Sequence, residues 1–364
     1  MNDTMMNEKN NKTIEELRAK YESEKQEKEL VEKDLKIRQG EEDARRQEQL
    51  KYGITTVLII SIIFTLLLYG RYRIIREQKG IIERQKVTVD EKNKDITDSI
   101  NYAKRIQTAM LRTEHEMFDL LGEHFVLFLP KDVVSGDFYW CHQQEDVVIW
   151  VVADCTGHGV PGAFMSMIGN SLMNEIIIEK KLTTPGLILD ELKDGIIKSL
   201  GTRTQDGMDM TLCAFNRTTY ELQFAGANND LYITRKGIGK EAFTSADWIA
   251  TFDSDLIVIK PDKQSVGFEE DKDEPFNTRS IQLQKGDCIY ACSDGYLDQF
   301  GGKKNKKYSV RRFKEVLSEI HTMSMEEQMV HVTNELFEWM DDKEQIDDIC
   351  VIGVRVEMPV PYDS

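Results

Sequence analysis

An uncharged apolar run near the N-terminus is the strongest constraint on the structure of this chain. Residues 52–70 read YGITTVLIISIIFTLLLYG, and Lys51 and Arg71 bound the run on its two sides. A helix needs about 20 apolar residues to cross a bilayer, and aromatic rings favour the membrane interfaces, where Tyr52 and Tyr69 would lie. The alternative is a buried core helix, but the run has no polar face. We therefore predict a transmembrane helix over 52–70.

The segment before this run, residues 1–51, is polar throughout. Glutamate, lysine, arginine and glutamine alternate there, with only sparse apolar positions. This pattern is typical of a long solvated helix, either a weak coiled coil or a lone charged arm. The chain begins with polar residues and not with a charged segment leading directly into an apolar core, so a cleavable signal peptide is not predicted.

Residues 71–110, after the apolar run, show a seven-residue repeat of apolar side chains. The repeat comprises Ile75, Ile82, Val89, Ile96, Ala103 and Met110. Such a seam predicts a parallel two-stranded coiled coil, and hence a homodimer, that transmits a signal from the membrane. A surface helix docked on the following domain is the alternative. The two interpretations are compatible if only the last turns of this helix contact that domain.

From His124 onward, the sequence consists of short runs of strand-forming residues separated by Gly, Asp and Asn. Strands are expected at 124–129, 147–153, 211–215, 220–224, 231–234, 278–283, 288–292 and 349–355, with helices at 162–181 and 185–200 and a third between 310 and 340. Many strands with few helices, without regular alternation, predict an α+β fold in which an antiparallel sandwich is layered with helices. We assign residues 111–358 to this domain and 359–364 to a tail.

Composition limits the class of partner and of metal. The formal net charge is -17 and the sequence pI is about 5.0, which argues against a nucleic-acid partner. The six cysteines contain no Cys-x-x-Cys pair, so neither a zinc site nor a disulfide scaffold is indicated. Free buried thiols in a reducing compartment are expected.

Three aspartates stand beside predicted strands: Asp154 and Asp294 follow one, and Asp347 precedes one. A carboxylate at the end of a buried strand is held rigidly at the rim of a sheet, where a hard cation can collect several oxygens. Aspartates without histidine or cysteine side chains favour Mg²⁺ or Mn²⁺ over zinc. Each aspartate taken singly could equally belong to an ordinary turn.

Five motifs in one order strengthen the metal interpretation. They are KDVVSGDFYW at 131–140, ADCTGHGVPGA at 153–163, AGAN at 225–228, CSDGYLDQFG at 292–301 and DDICVI at 347–352. Their order resembles the SpoIIE/RsbU-like branch of the PPM metal-dependent serine/threonine protein phosphatases. The resemblance covers roughly residues 96–357.

The resemblance implies an α-β-β-α layered sandwich with two Mn²⁺ or Mg²⁺ ions at one end. Asp154 would bridge the ions, the backbone carbonyl of Cys155 would complete one shell, and Asp294 and Asp347 would hold the other ion. Asp137 would bind metal-ligated waters, which makes Asp137, Asp154, Asp294 and Asp347 the expected catalytic residues. A metal-activated water would then hydrolyse the phosphoester directly, without a phosphoenzyme.

Further residues have secondary expected roles at the phosphate or behind the metals: Lys131, Gly157, His158, Gly159, Asp348 and Asp209. The eukaryotic relatives use an arginine on the substrate phosphate, and none occurs between residues 124 and 201, so that role is either vacant or filled by Lys131. Gly157 and Gly159 either free backbone N–H groups for an anion or only supply positive φ. His158 is a candidate general acid. Asp206 and Asp209 belong either to a turn or to a third metal site.

A cluster of lysines follows the fourth motif: Lys303, Lys304, Lys306 and Lys307. It is either a solvated loop or a guide for an acidic phosphoprotein.

These expectations combine into a signalling phosphatase anchored by one span in the cell or inner membrane, with its catalytic domain in the cytoplasm. Reduced cysteines and a phosphoprotein substrate favour this orientation. The resemblance implies a phosphoserine on a STAS-like anti-anti-sigma protein as substrate. The alternative is a catalytically silent scaffold of the same fold that binds a signalling partner.

Overall fold

The computed structural model describes residues 2–201, 206–237, 247–267 and 274–357, without the side chains of residues 2–7 and 9. Contacts divide the chain into two compact units, residues 1–92 and 93–364. The predicted tail 359–364 lies outside the described residues.

Helix α1 extends from Asn2 to Met110, and its residues 2–92 form the described part of the first unit. Its apolar window is long enough to cross a membrane by length and composition, and none of that window is buried within the chain. The alternative of a buried core helix for 52–70 is therefore wrong. The last turns of α1 belong to the second unit, where Gln107 is buried and Ile100, Ala103 and Met110 are partly covered.

Among its described residues, the second unit contains six more helices and fourteen strands. The helices are α2 (Glu114–Leu121), α3 (Gly159–Met173), which continues as a π-helical segment (Asn174–Glu179), α4 (Pro185–Leu200), α5 (Asp294–Asp298), α6 (Val310–Ile320) and α7 (Met325–Met340). The strands are β1 (His124–Leu129), β2 (Phe138–Gln144), β3 (Val147–Cys155), β4 (Gly207–Asn216), β5 (Glu221–Ala227), β6 (Leu231–Thr234), β7 (Ile249–Thr251), β8 (Leu256–Ile259), β9 (Val266–Gly267), β10 (Arg279–Gln282), β11 (Cys288–Cys292), β12 (Phe300–Gly301), β13 (Lys306–Lys307) and β14 (Ile349–Arg355).

The strands form two antiparallel sheets and one small hairpin. The first sheet has the order β1-β14-β11-β6-β8-β7, and the second has the order β10-β5-β4-β3-β2, with β9 paired to β4. Strands β12 and β13 pair only with each other.

Side-chain alternation places the sheets face to face. On β3, Trp150 packs between the two sheets, whereas its neighbours Ile149 and Val151 pack under α3 and α4. On β14, Ile352 joins the inter-sheet core, whereas Val351 packs under α6 and α7. Because successive residues of a strand point to opposite faces, each sheet is covered on both sides. The α+β, α-β-β-α layering expected from the sequence is confirmed.

Several elements differ from their predicted bounds. The expected helix between 310 and 340 is two helices, because Ser324 and Glu327 form a capping box that begins α7. The expected helix 162–181 begins earlier, at Gly159, and ends in the π-helical segment. The short strands β2, β7, β8, β9, β12 and β13, and the helices α2 and α5, were not predicted.

Candidate metal-dependent active site

The candidate site lies at one end of the sandwich. Strands β1, β3 and β11 end there, and strands β2, β4 and β14 begin there, as their antiparallel pairing requires. Asp154 lies at the end of β3, Asp294 follows β11, and Asp347 precedes β14. The fold thus gathers the three aspartates that the sequence places beside strands.

Asp137 is deeply buried at this end of the sandwich. It precedes β2, its side chain is 2% exposed, and its Oδ2 atom has no hydrogen-bond partner. Burial raises the pKa of the Asp137 carboxyl well above its ordinary value. The nearby charges of Asp348, Asp347 and Asp294 act in the same direction, and the hydroxyl of Ser293 opposes them.

Asp154, at the end of β3 in the second sheet, is in contact with Asp294, which follows β11 in the first sheet. The backbone N–H of Asp294 donates to Oδ2 of Asp154 at 3.4 Å. Burial, followed by the charges of Asp137 and Asp294, raises the pKa of Asp154 well above its ordinary value. Burial also raises the pKa of Asp294. The two acids repel one another as carboxylates, so a proton or a cation between them is stabilising.

Asp348 holds the loop that carries Asp137. Its Oδ1 accepts from the backbone N–H of Lys131 at 2.8 Å, and its Oδ2 accepts from that of Gly136 at 2.7 Å. Asp347, one residue earlier, is half-buried, and its Oδ1 accepts from the backbone N–H of Asp348 at 2.9 Å. Asp348 therefore positions a loop, while the second carboxylate oxygen of Asp347 is available to a ligand of the site.

Glycines permit close backbone contact beside Asp154. Gly157 and Gly159 have φ values of 85° and 65°, so both occupy the left-handed region that favours glycine. A methyl group on Gly136 or Gly162 would collide with the carbonyl oxygen of Gly157. The turn after β3 thus packs directly on the loop that carries Asp137.

His158 and Lys131 lie together at the rim of the site. The Nδ1 atom of His158 is 2.7 Å from Oδ2 of Asp132, and its Nε2 atom is 3.3 Å from Nζ of Lys131. All three side chains are at least partly exposed. Because Asp132 engages Nδ1, it holds the ring with Nε2 toward Lys131.

Asp209 does not belong to a turn. It lies within β4, directly opposite Asp154 on β3. Its Oδ1 accepts hydrogen bonds from Asn228 at 2.9 Å and from Ser265 at 2.5 Å. The strand register therefore places Asp209 beside Asp154, and one of its carboxylate oxygens already accepts two hydrogen bonds.

The donor set is suited to a hard cation. It consists of aspartate oxygens together with backbone carbonyls, and within the described residues no lysine or arginine forms an ion pair with Asp137, Asp154, Asp294 or Asp347. No three His, Cys, Asp or Glu side chains in that part of the chain converge closely enough to chelate one ion alone. Each ion would therefore take much of its shell from water and carbonyls, as Mg²⁺ characteristically does.

Comparison with known proteins identifies the fold family. The profile of Stage II sporulation protein E (SpoIIE) matches residues 144–357. The SiaA PP2C domain of Pseudomonas aeruginosa is 31% identical, with a TM-score of 0.63, and the match covers 73% of this chain and 98% of that domain. The chain belongs to the SpoIIE family of PP2C-like phosphatase domains. No curated protein matches it in sequence.

More distant structures share the SpoIIE-family fold. A SpoIIE fragment from Bacillus subtilis with its PP2C phosphatase domain has a TM-score of 0.51 at 16% identity, covering 66% of this chain and 64% of that one. The RsbU and RsbW domains of a Mycobacterium tuberculosis protein have a TM-score of 0.50 at 17% identity, covering 66% and 62%. PP2C-type phosphatases are in general dependent on Mg²⁺ or Mn²⁺.

The SpoIIE-family site contains residues that sequence reasoning missed. Asp132, Ser293 and Ser265 contact predicted site residues, yet none was singled out from the sequence. Gln107 was also missed. It donates to the carbonyl oxygen of Ser135 at 2.6 Å and accepts from the N–H of the same residue at 3.0 Å. The sequence signal that could have identified Gln107 was a glutamine on an otherwise apolar face of α1.

Proposed function

We propose that this chain is a membrane-tethered, metal-dependent protein serine/threonine phosphatase. One observation carries the proposal: a PP2C-like fold gathers Asp137, Asp154, Asp294 and Asp347 at one end of its sandwich without a compensating basic side chain among the described residues. Like charges crowded around the buried Asp137 are costly, and a divalent cation removes that cost.

The proposed assignment uses two Mn²⁺ or Mg²⁺ ions. Asp154, the backbone carbonyl of Cys155, Asp294 and Asp347 would hold them. The ions would polarise a water and the phosphoryl oxygens. The residues of the chain fit the assignment chemically, because the unpartnered Oδ2 of Asp137 is a free acceptor for ordered water.

Around these acids, the chain supplies groups for the phosphoester. Lys131 presents its ammonium group at the rim, and His158 is held beside it by Asp132. Backbone N–H groups at the start of α3 are free of intrahelical partners and suit an anion. We assign Lys131, Gly157, His158 and Gly159 to phosphate binding, with Asp348 positioning the Asp137 loop and Asp209 in a peripheral role.

The direct test is phosphate release from a phosphoserine peptide by the full chain in detergent, with and without Mn²⁺. We expect Mn²⁺-dependent hydrolysis that falls at least a hundredfold in Asp154→Asn and Asp294→Asn, as is usual when a group that stabilises the transition state is removed. Asp194→Asn, an exposed aspartate on α4, is the matched control and should retain full activity. Equal inactivity of wild type and variants with every metal would favour the silent scaffold.

Membrane tethering and dimerisation complete the proposal. Residues 52–70 of α1 would cross the membrane once, with the phosphatase domain in the cytoplasm, and residues 71–110 would pair as a parallel coiled coil. A change in the twist or register of this coil would move the helices under Asp154 and control metal occupancy. The proposed substrate is a phosphorylated STAS-like protein.

Cysteine cross-linking tests the coil. A cysteine at the seam position Ile82 should form a disulfide between two chains, whereas a cysteine at the neighbouring exposed position Lys79 should do so much less. Deleting residues 52–70 should release the chain from membranes. A monomeric chain that is fully active without residues 71–92 would contradict the regulatory role of the coil.

A further inference from the structure

We propose that the β12–β13 hairpin is a docking surface for an acidic face of the phosphoprotein substrate. The inference rests on the proposed phosphatase function and identifies the chemistry of the partner. We call residues 300–307 the basic hairpin.

The basic hairpin concentrates positive charge on an acidic protein. The chain has a formal net charge of -17, yet Lys303, Lys304, Lys306 and Lys307 occupy four of five successive positions, and all four are exposed. Lys307 pairs with Asp298 at 2.6 Å. The other three lysines form no ion pair within the described residues.

The basic hairpin is anchored at its base. The N–H of Gly302 donates to the carbonyl oxygen of Trp339 at 2.8 Å, and the indole N–H of Trp339 donates to the carbonyl oxygen of Gln299 at 3.0 Å. The Arg312 guanidinium lies 4.5 Å from the centroid of the Trp339 ring and pairs with Glu335. A rigid surface loses little conformational entropy when a partner binds.

Two contacts place the basic hairpin beside the candidate site. The buried side chain of Gln299 donates to the carbonyl oxygen of Glu344 at 3.0 Å and accepts from the N–H of Ile346 at 3.1 Å, next to Asp347. On the other side, Lys307 pairs with Asp298, the last residue of α5. Helix α5 begins at Asp294, has five residues and is about 7.5 Å long at 1.5 Å per residue.

This placement suggests what the lysines do. The clustered aspartates repel a dianionic phosphoester and its acidic surroundings, whereas a basic rim attracts an acidic partner, accelerates encounter and fixes its orientation. An anionic membrane would also attract lysines. The protein partner is favoured because Lys307 pairs with the helix that begins at Asp294, and Gln299 joins the base of the hairpin to the segment before Asp347, where a docked phosphoserine has to arrive.

The test uses the full chain in neutral detergent with Mn²⁺ and three probes. Two are phosphoserine peptides that differ only in flanking glutamates or glutamines, and the third is p-nitrophenyl phosphate. Simultaneous Lys303→Gln, Lys304→Gln and Lys306→Gln should lower kcat/KM for the acidic peptide roughly tenfold, mainly through KM, and reduce its salt dependence. The other two probes should be unaffected. Fluorescence anisotropy should show the same loss in binding of the acidic peptide.

The control carries Lys198→Gln, Lys236→Gln and Lys285→Gln, which change net charge equally at exposed positions elsewhere. An equal loss in this control would overturn the proposal, as would equal kcat/KM of wild type for both peptides. Lysine-dependent activity that follows the phosphatidylserine content of vesicles, with no preference between the peptides, would assign the basic hairpin to lipid instead. A wild type inert toward all three probes would overturn the phosphatase function, and this inference with it.

Discussion

Gln107 and Ser135 exchange two hydrogen bonds, so the end of α1 is joined directly to the loop that carries Asp137. The Gln107 side chain is 8% exposed, and its Nε2 atom also donates to the hydroxyl of Ser166 on α3 at 2.9 Å. One amide therefore connects α1, the Asp137 loop and α3. The three elements are expected to move as a unit.

Replacing Gln107 with leucine should destabilise the phosphatase domain. The change leaves the buried backbone N–H of Ser135 without its partner, whereas the carbonyl oxygen still accepts from the Ser166 hydroxyl at 3.3 Å. An unpaired buried N–H costs about 1–3 kcal/mol of unfolding free energy. The four tryptophans are Trp140, Trp150, Trp248 and Trp339, so their fluorescence reports unfolding of this domain in the full chain. Lys104→Gln, one turn away and exposed, is the control and should be neutral.

Gly162→Ala should displace the turn after Asp154. The added methyl group would collide with the carbonyl oxygen of Gly157, and backbone atoms cannot rotate away. We expect a loss of about 1–3 kcal/mol in unfolding free energy together with lower phosphatase activity. In Gly195→Ala on α4, the methyl group meets only the flexible end of Leu172, so a smaller effect is expected. Equal stability of the two variants would refute the packing argument.

Without divalent ions, the protein should lose stability as the pH rises above about 4. Burial raises the pKa of Asp137 above its ordinary value of 3.8, so the folded chain retains a proton that the unfolded chain releases. The unfolding free energy then falls by about 1.4 kcal/mol per pH unit, from the unfolded pKa up to the folded one. Denaturant titrations in chelator at several pH values measure the slope.

Asp137→Asn should make this slope shallower by the contribution of one carboxyl, because the amide does not ionise while Asp154 and Asp294 still do. Without divalent ions, the variant should be more stable than wild type at neutral pH. Asp194→Asn, which changes an exposed aspartate, should keep the wild-type slope. Identical slopes for all three proteins would show that Asp137 is not the group responsible.

Mn²⁺ should stabilise the folded chain. Ligand at a hundred times its Kd adds about 2.7 kcal/mol, and each kcal/mol raises Tm by roughly 2–4 °C in a domain of this size. Differential scanning fluorimetry should therefore show a rise of several degrees in wild type and in Asp194→Asn. Asp154→Asn and Asp294→Asn should show little or none. A similar rise in all four proteins would place the ions elsewhere.

Local sequence predicted several strands with correct bounds and missed others. The bounds of β1, β6, β11 and β14 were predicted correctly, because each is an apolar run between turn residues. Strand β8 (Leu256–Ile259) is an apolar run as long as β6 and was nevertheless overlooked, and the seven-residue β2 was missed because its sequence FYWCHQQ does not alternate between apolar and polar residues. The break between α6 and α7 was visible in Ser324 and Glu327 as a capping box, which sequence reasoning overlooked.

For the candidate site, the sequence by itself determined which residue types stand at which strand ends, since strand periodicity and motif order are local properties. The sequence could not show which of the acids are buried and which are exposed. Asp132 and Asp137 belong to one motif, yet Asp132 is exposed beside His158 while Asp137 is buried among carboxyls. Lys131 and Asp348, hydrogen-bonded in the fold, are 217 residues apart. Burial and charge proximity arise only when the two sheets close, so only the tertiary structure decided which acids would be costly to leave without a cation.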